Sequence, residues 1–174
     1  FGPQFLLPNA DAFNETCAAV GNVLFNFRMF LAHKDAKFLD VAEVSLLNNV
    51  LAAVNLEGNK FFYVNPLEAD GKYPFNHGTM GRAPWFGTAC CPSNMARLLP
   101  QVQGMTYAHD DKNLYLAMYA ETSTELDIGG TKLAISQTTE YPNDGRIEVS
   151  LNPQKTEVSP FVRHPDIRKW NWLW

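Results

Sequence analysis

Two short stretches of this sequence carry residue types that can do chemistry together. Glu15-Thr16-Cys17 sets a carboxylate two positions from a thiol, and Cys90-Cys91-Pro92-Ser93-Asn94 sets two adjacent thiols ahead of a proline. On a regular helix, residues two apart point about 200° from each other. Glu15 and Cys17 can therefore face one ligand only where the chain is not yet regular, at a helix entry. The breaker Leu7-Pro8-Asn9 just upstream allows such an entry. Pro92 suits the start of a helix and pushes Cys91 toward extended geometry. Both thiols are thus expected at or just before a helix N-terminus, where backbone N–H groups and the helix dipole favour a thiolate.

Three cysteines, two of them neighbours, make a poor disulfide scaffold. Zinc takes sulfur and carboxylate ligands, usually four in a tetrahedron, and Glu15, Cys17, Cys90 and Cys91 supply such a set. Thiols bound in this way stay deprotonated at neutral pH. On residue types alone, other readings stand beside this one: a strained vicinal disulfide at Cys90-Cys91, a zinc site of purely structural use, or buried thiols acting as small apolar side chains.

The elements that must position these residues can be read from periodicity. Cys17, Val20, Leu24, Phe27 and Leu31 recur at helical steps over residues 14–33, while Ala18, Phe25, Met29 and Phe30 fill the other side, which predicts a helix buried on more than one face. A second helix is expected over 36–54, with Leu39, Leu46, Leu47, Val50, Leu51 and Val54 on one stripe. Glu43 lies four residues from both Leu39 and Leu47, on or beside that stripe. A turn at Glu57-Gly58-Asn59 leads to a short strand over 60–64, and residues 65–87 are rich in Gly and Pro without a period. Loops of that length in a compact domain are functional or disordered. A short helix over 92–99, closed by Pro100, follows.

Beyond Gln103-Gly104 the period becomes two. Leu114, Leu116 and Met118 alternate with Tyr115, Ala117 and Tyr119; Leu133 and Ile135, and then Ile147, Val149 and Leu151, alternate with polar neighbours. Turns at 110–113, 129–130 and 142–145 separate these runs and predict an antiparallel sheet, one layer of a sandwich. The fold class is α+β, with a helical part, residues 1–103, and a β part, residues 104–174.

With 46% hydrophobic and 18% charged residues the 174-residue chain is globular in composition. A net charge of -4 leaves no basic stripe for nucleic acid or anionic lipid, and no apolar run reaches the length of a membrane span. The chain begins at Phe1 and is read as a piece of a longer protein, so its compartment stays open.

Three phrases carry a family resemblance: Leu7-Pro8-Asn9 followed by Asn14-Glu15-Thr16-Cys17-Ala18-Ala19-Val20-Gly21-Asn22, then Phe61-Phe62-Tyr63-Val64-Asn65-Pro66-Leu67-Glu68, then Pro84-Trp85-Phe86-Gly87-Thr88-Ala89-Cys90-Cys91-Pro92-Ser93-Asn94. In order and spacing they resemble glycoside hydrolase family 127, the β-L-arabinofuranosidases, over residues 7–153, and the similarity thins toward Trp174. The resemblance implies an (α/α)₆ barrel followed by a β-sandwich, so that residues 1–103 are a fragment of the catalytic barrel and 104–174 a sandwich segment. It implies zinc held by Glu15, Cys17, Cys90 and Cys91, Cys90 as the glycosidic nucleophile, Glu43 and Tyr63 in contact with the sugar, and an arabinose-containing glycan as substrate. Without the resemblance, Glu43 reads as an edge-of-stripe residue with its head in solvent and Tyr63 as core packing.

One departure counts. A retaining glycosidase needs a general acid, and in the family resembled this is a glutamate that would fall about two residues upstream of Phe1. These residues alone are therefore expected not to turn over substrate. Two rivals remain: a non-catalytic carbohydrate-binding module braced by zinc, and a thiol redox protein, which the lack of a Cys-x-x-Cys spacing disfavours.

Overall fold

The computed structural model describes residues 5, 6 and 8–153, together with the backbone of 159–162. Helix α1, Thr16–His33, begins after Glu15, whose extended backbone (φ -72°, ψ 133°) makes it the N-cap. It ends where Lys34 turns left-handed at φ 56° and returns its N–H to the Phe30 carbonyl at 2.7 Å. Helix α2, Ala36–Ser45, starts one turn later because the Asp35 carboxylate accepts the Lys37 N–H at 3.0 Å. The helix predicted to reach Val54 does continue, but not as an α-helix. It widens into a π-helical turn, Leu46–Val50, and tightens into a 3₁₀ turn, Leu51–Ala53.

Helix α3 spans Cys90–Val102, longer at both ends than the pattern predicted. Cys90 and Cys91 are its first two residues, so Cys91 is helical and not extended. Pro92 sits within the first turn, where the missing N–H has no partner to lose. Pro100 does not close the helix. It lies on the exposed side, and the carbonyl it strands one turn back, on exposed Ala96, faces water.

Strands β1 (Tyr107–His109) and β2 (Asn113–Leu116) pair antiparallel, and β2 pairs in parallel with β6 (Ser159–Val162). Strands β3 (Thr122–Ile128), β4 (Thr131–Thr139) and β5 (Ile147–Pro153) form an antiparallel meander. The alternation predicted through Tyr119 stops at Leu116. Ala117, Met118 and Tyr119 are all buried, because the chain crosses between the two sheets there, with the Ala117 and Met118 N–H groups both held by the Thr106 carbonyl.

The helices pack around Val23, Ala42, Val50, Ala53, Met95 and Leu98, none more than 1% exposed. Side chains of both sheets share a second core at Leu114, Leu116, Ile128, Leu133 and Ile135. Phe30 and Leu39 join the two parts by packing on Ala108 and Ala117. Each such large side chain contributes about 1.5–3 kcal/mol by leaving water. Not all of α1 is buried as predicted: Phe25 is 60% and Leu31 42% exposed. The helix packs through one side, that of Val20, Val23 and Phe30.

Candidate functional site

The N-termini of α1 and α3 meet, and their first residues bring the four predicted donors together. One ligand atom each from Glu15, Cys17, Cys90 and Cys91 lies within 4.8 Å of the others, a group that could hold a metal ion. The Cys17 and Cys91 sulfurs are 3.2 Å apart, and those of Cys90 and Cys91 3.9 Å. Glu15 Oε1 stands 3.8 Å from the Cys90 sulfur and 4.0 Å from that of Cys91. The irregular entry expected at Glu15 is its extended N-cap backbone, which lets this carboxylate and the helical Cys17 face the same point.

A second layer fixes that entry. Residues 61–65 run extended alongside it, and Glu15 bridges to Val64. Thr16 N–H donates to the Tyr63 carbonyl at 3.0 Å and its hydroxyl to the Phe62 carbonyl at 2.8 Å. Asn65 Nδ2 donates to Thr16 Oγ1 at 2.8 Å and to Asn49 Oδ1 at 3.2 Å, while Asn49 Nδ2 donates to Asn14 Oδ1 at 2.8 Å. Asn49 belongs to the π-helical turn, and such turns recur at functional sites because the extra residue re-aims a side chain. The strand predicted over 60–64 forms only isolated bridges, since its partners change from Val54 to Ala83 to Glu15 along its length.

Tyr63 projects from this segment onto the thiols. Its hydroxyl oxygen is 3.1 Å from the Cys90 sulfur. The hydrogen bond with Tyr63 pulls the Cys90 thiol below its ordinary range, and the same bond, then burial, pushes the phenol up. Both shifts arise from this one contact, which favours a thiolate on Cys90 over a phenolate on Tyr63. Burial pushes the Cys17 and Cys91 thiols the other way. Of the three sulfurs, Cys90 is thus the one that ionises most readily, and it is only half-buried, whereas Cys91 is fully buried.

Glu43 stands outside the donor group. It is 4% exposed on α2, so the reading of a carboxylate with its head in solvent does not hold. The residues that residue types alone did not single out are mostly asparagines. Asn94 Nδ2 donates to the Cys17 sulfur at 3.2 Å, and Arg97 Nη1 donates to Asn94 Oδ1 at 3.2 Å. Asn76, wholly buried in the 65–87 loop, bonds the Tyr63 segment through its side chain. Asn94 lies one turn of helix beyond Cys90-Cys91, a signal that helical spacing could have supplied; Asn76 has no local signal. The long loop is thus built against the site.

Among the described residues no helix is long and apolar enough to cross a membrane. Comparison with known proteins identifies the family. A non-reducing end β-L-arabinofuranosidase of Bifidobacterium longum subsp. longum is 35% identical over 167 residues, covering 91% of this chain and 25% of that protein. A solved GH127 β-arabinofuranosidase superposes with a TM-score of 0.86 at 41% identity, covering 95% of this chain and 25% of its own. A GH127 β-L-arabinofuranosidase from Geobacillus stearothermophilus T6 gives a TM-score of 0.84 at 35% identity, covering 92% and 26%. The chain spans about a quarter of the length of these relatives. Residues 1–104 match the β-L-arabinofuranosidase GH127 catalytic domain, and the chain belongs to glycoside hydrolase family 127.

Proposed function

We propose that this chain carries the nucleophile side of a retaining β-L-arabinofuranosidase site, with Cys90 as nucleophile and Glu15, Cys17, Cys90 and Cys91 as ligands of a zinc ion. The observation that carries the reading is the convergence of these four donors, from two helix N-termini far apart in sequence, with Tyr63 placed on Cys90. The donor set suits zinc. Magnesium and calcium take oxygen ligands, whereas three sulfurs and one carboxylate match a tetrahedral site. Sulfurs about 2.3 Å from a tetrahedral zinc lie about 3.8 Å from one another. The Cys90–Cys91 separation of 3.9 Å suits this, and the Cys17–Cys91 pair at 3.2 Å has to open slightly.

Zinc, when bound, supplies charge that keeps the thiols deprotonated. The protein's own groups do the rest. The Cys90 sulfur attacks the anomeric carbon, a carbon–sulfur bond forms, and the glycosidic carbon–oxygen bond breaks. The leaving oxygen takes its proton from a general acid, the glutamate that in the family precedes the Leu7-Pro8-Asn9 phrase. Water, activated by the resulting carboxylate, then attacks the same carbon and returns the electron pair to sulfur, so two inversions give retention. Tyr63 directs its hydroxyl at Cys90 and steadies the thiolate, and Asn94 orients Cys17. Glu43 and Tyr63 contact the sugar in this reading, the Glu43 carboxylate accepting hydrogen bonds from sugar hydroxyls. Residues 1–103 belong to an (α/α)₆ barrel and 104–174 to a β-sandwich.

The test uses the parent enzyme at the length of its relatives and follows hydrolysis of a β-L-arabinofuranoside by proton NMR. The first sugar released should be the β anomer, and Cys90→Ser should abolish release while keeping the circular dichroism of the wild type. Release of the α anomer first, or full activity in Cys90→Ser, would sink the reading. Glycan binding without any turnover would favour a zinc-braced binding module.

A further inference from the structure

Tyr63 is held from two sides by a pair of adjacent residues in the 65–87 loop. Asn76 is 0% exposed, and its side chain takes the place of a strand beside residues 61–64. Its Oδ1 accepts the N–H groups of Tyr63 at 2.7 Å and Val64 at 3.4 Å, and its Nδ2 donates to the carbonyls of Gly81 at 2.8 Å and Phe61 at 3.2 Å. The Asn76 and Thr79 main chains exchange N–H···O bonds at 2.9 and 3.2 Å, closing a tight turn. Inside that turn His77 is left-handed, at φ 51°. A residue with a side chain adopts this conformation at a cost, and such strain gathers at functional sites.

The strained backbone aims the imidazole at Tyr63. The two ring centres are 4.2 Å apart, and Phe86 completes the box at 5.5 Å from Tyr63 and 5.8 Å from His77. A loop staple needs Asn76 alone; it does not need an exposed histidine bent back over the one tyrosine that touches Cys90. We propose that Asn76 and His77 form a two-point clamp on Tyr63, Asn76 fixing its main chain and His77 its ring. His77 is therefore a positioning residue, acting on Cys90 through the Tyr63 hydroxyl as a flat ring and not as a proton carrier. This rests on the reading of Cys90 as nucleophile.

The experiment compares His77→Asn with His77→Phe in the parent enzyme. Asparagine tolerates the left-handed backbone but has no ring, and phenylalanine keeps the ring without the nitrogens. His77→Asn should lower kcat about five- to tenfold, the size of a lost aromatic contact, with KM within about twofold. His77→Phe should restore most of the loss. No impairment in His77→Asn overturns the clamp, and so does equal impairment in both variants when thermal melting shows that His77→Phe, which tolerates the left-handed backbone less well, keeps the wild-type stability. A second readout needs no turnover: fluorine NMR of 3-fluorotyrosine-labelled enzyme, with the Tyr63 signal assigned through Tyr63→Phe. That signal should shift in His77→Asn and stay near its wild-type position in His77→Phe; an unmoved signal in His77→Asn refutes the clamp. If the wild type hydrolyses no arabinofuranoside, the glycosidase reading fails while this signal still decides the clamp.

Discussion

Replacing Asn76 by alanine should loosen the Tyr63 segment far more than it disturbs the helices. The change removes four hydrogen bonds, two of them short, from the Tyr63 N–H at 2.7 Å and to the Gly81 carbonyl at 2.8 Å. A buried main-chain group left without a partner costs about 1–3 kcal/mol. The Tyr63 and Gly81 positions are only half-buried, so water can reach them once the side chain is gone. Counting the two short bonds at the lower half of that range gives about 3 kcal/mol of local opening, or about a hundredfold. Hydrogen exchange of the parent enzyme, read on a peptide covering 61–64, should therefore speed up about a hundredfold in Asn76→Ala. Asn76→Asp should fall between, because a carboxylate still accepts from Tyr63 but has nothing to donate to Gly81. A change of less than about tenfold in Asn76→Ala, or equal loosening of α1 and α3, would refute the claim that this side chain replaces a strand.

The metal reading expects about one zinc per molecule after dialysis, with four ligands supplied by one chain, and Cys17→Ser should lose it; full retention by metal analysis would count against the ligand set. In the β3–β4 turn, a Cβ on Gly129 (φ 58°) would sit 2.3 Å from the Asp111 carbonyl, whereas one on Gly130 (φ 78°) meets open space. Gly129→Ala should accordingly cost clearly more than the roughly 1 kcal/mol expected for Gly130→Ala, as thermal melting would show. Asp110 accepts hydrogen bonds from Asn113 and Lys112, which lower its carboxyl from 3.8 to about 2. Its stabilising effect on the turn is present above the ordinary carboxyl value and is lost as pH falls through about 2. A carboxyl titration by NMR should place its midpoint well below that of an exposed aspartate, and a midpoint near 3.8 would contradict the bonded turn.

The site was legible in the sequence to the extent that it is local. Glu15 and Cys17 share a helix entry, Cys90 and Cys91 share a helix start, and a proline or a cap leaves its mark within a few residues. These four could therefore be grouped as candidate ligands from local sequence, and the structure does bring their donor atoms together; Tyr63 was pointed to by the family resemblance alone. What escaped depends on contacts between distant segments. Strand β3 is an edge strand with only Ile128 fully buried, so its Thr-Ser-Thr-Glu run shows no clear alternation. The parallel pairing of β2 with β6 joins segments more than forty residues apart and leaves no local pattern. Asn49 and Asn76 look like loop or surface asparagines in sequence. One is re-aimed by a π-helical turn, the other is buried by a loop that folds back on Tyr63, and neither event is encoded by nearest neighbours.

The central claim is that Cys90, and no other group, bonds to the sugar. Among the three sulfurs it alone combines the Tyr63 hydrogen bond, a thiol held below its ordinary range and partial exposure. The direct measurement is to trap the parent enzyme with an arabinofuranose-derived electrophile and map the adduct by peptide mass spectrometry. The account predicts the label on Cys90, and no label in Cys90→Ser. An adduct on Cys91, on Cys17 or on a carboxylate would contradict it.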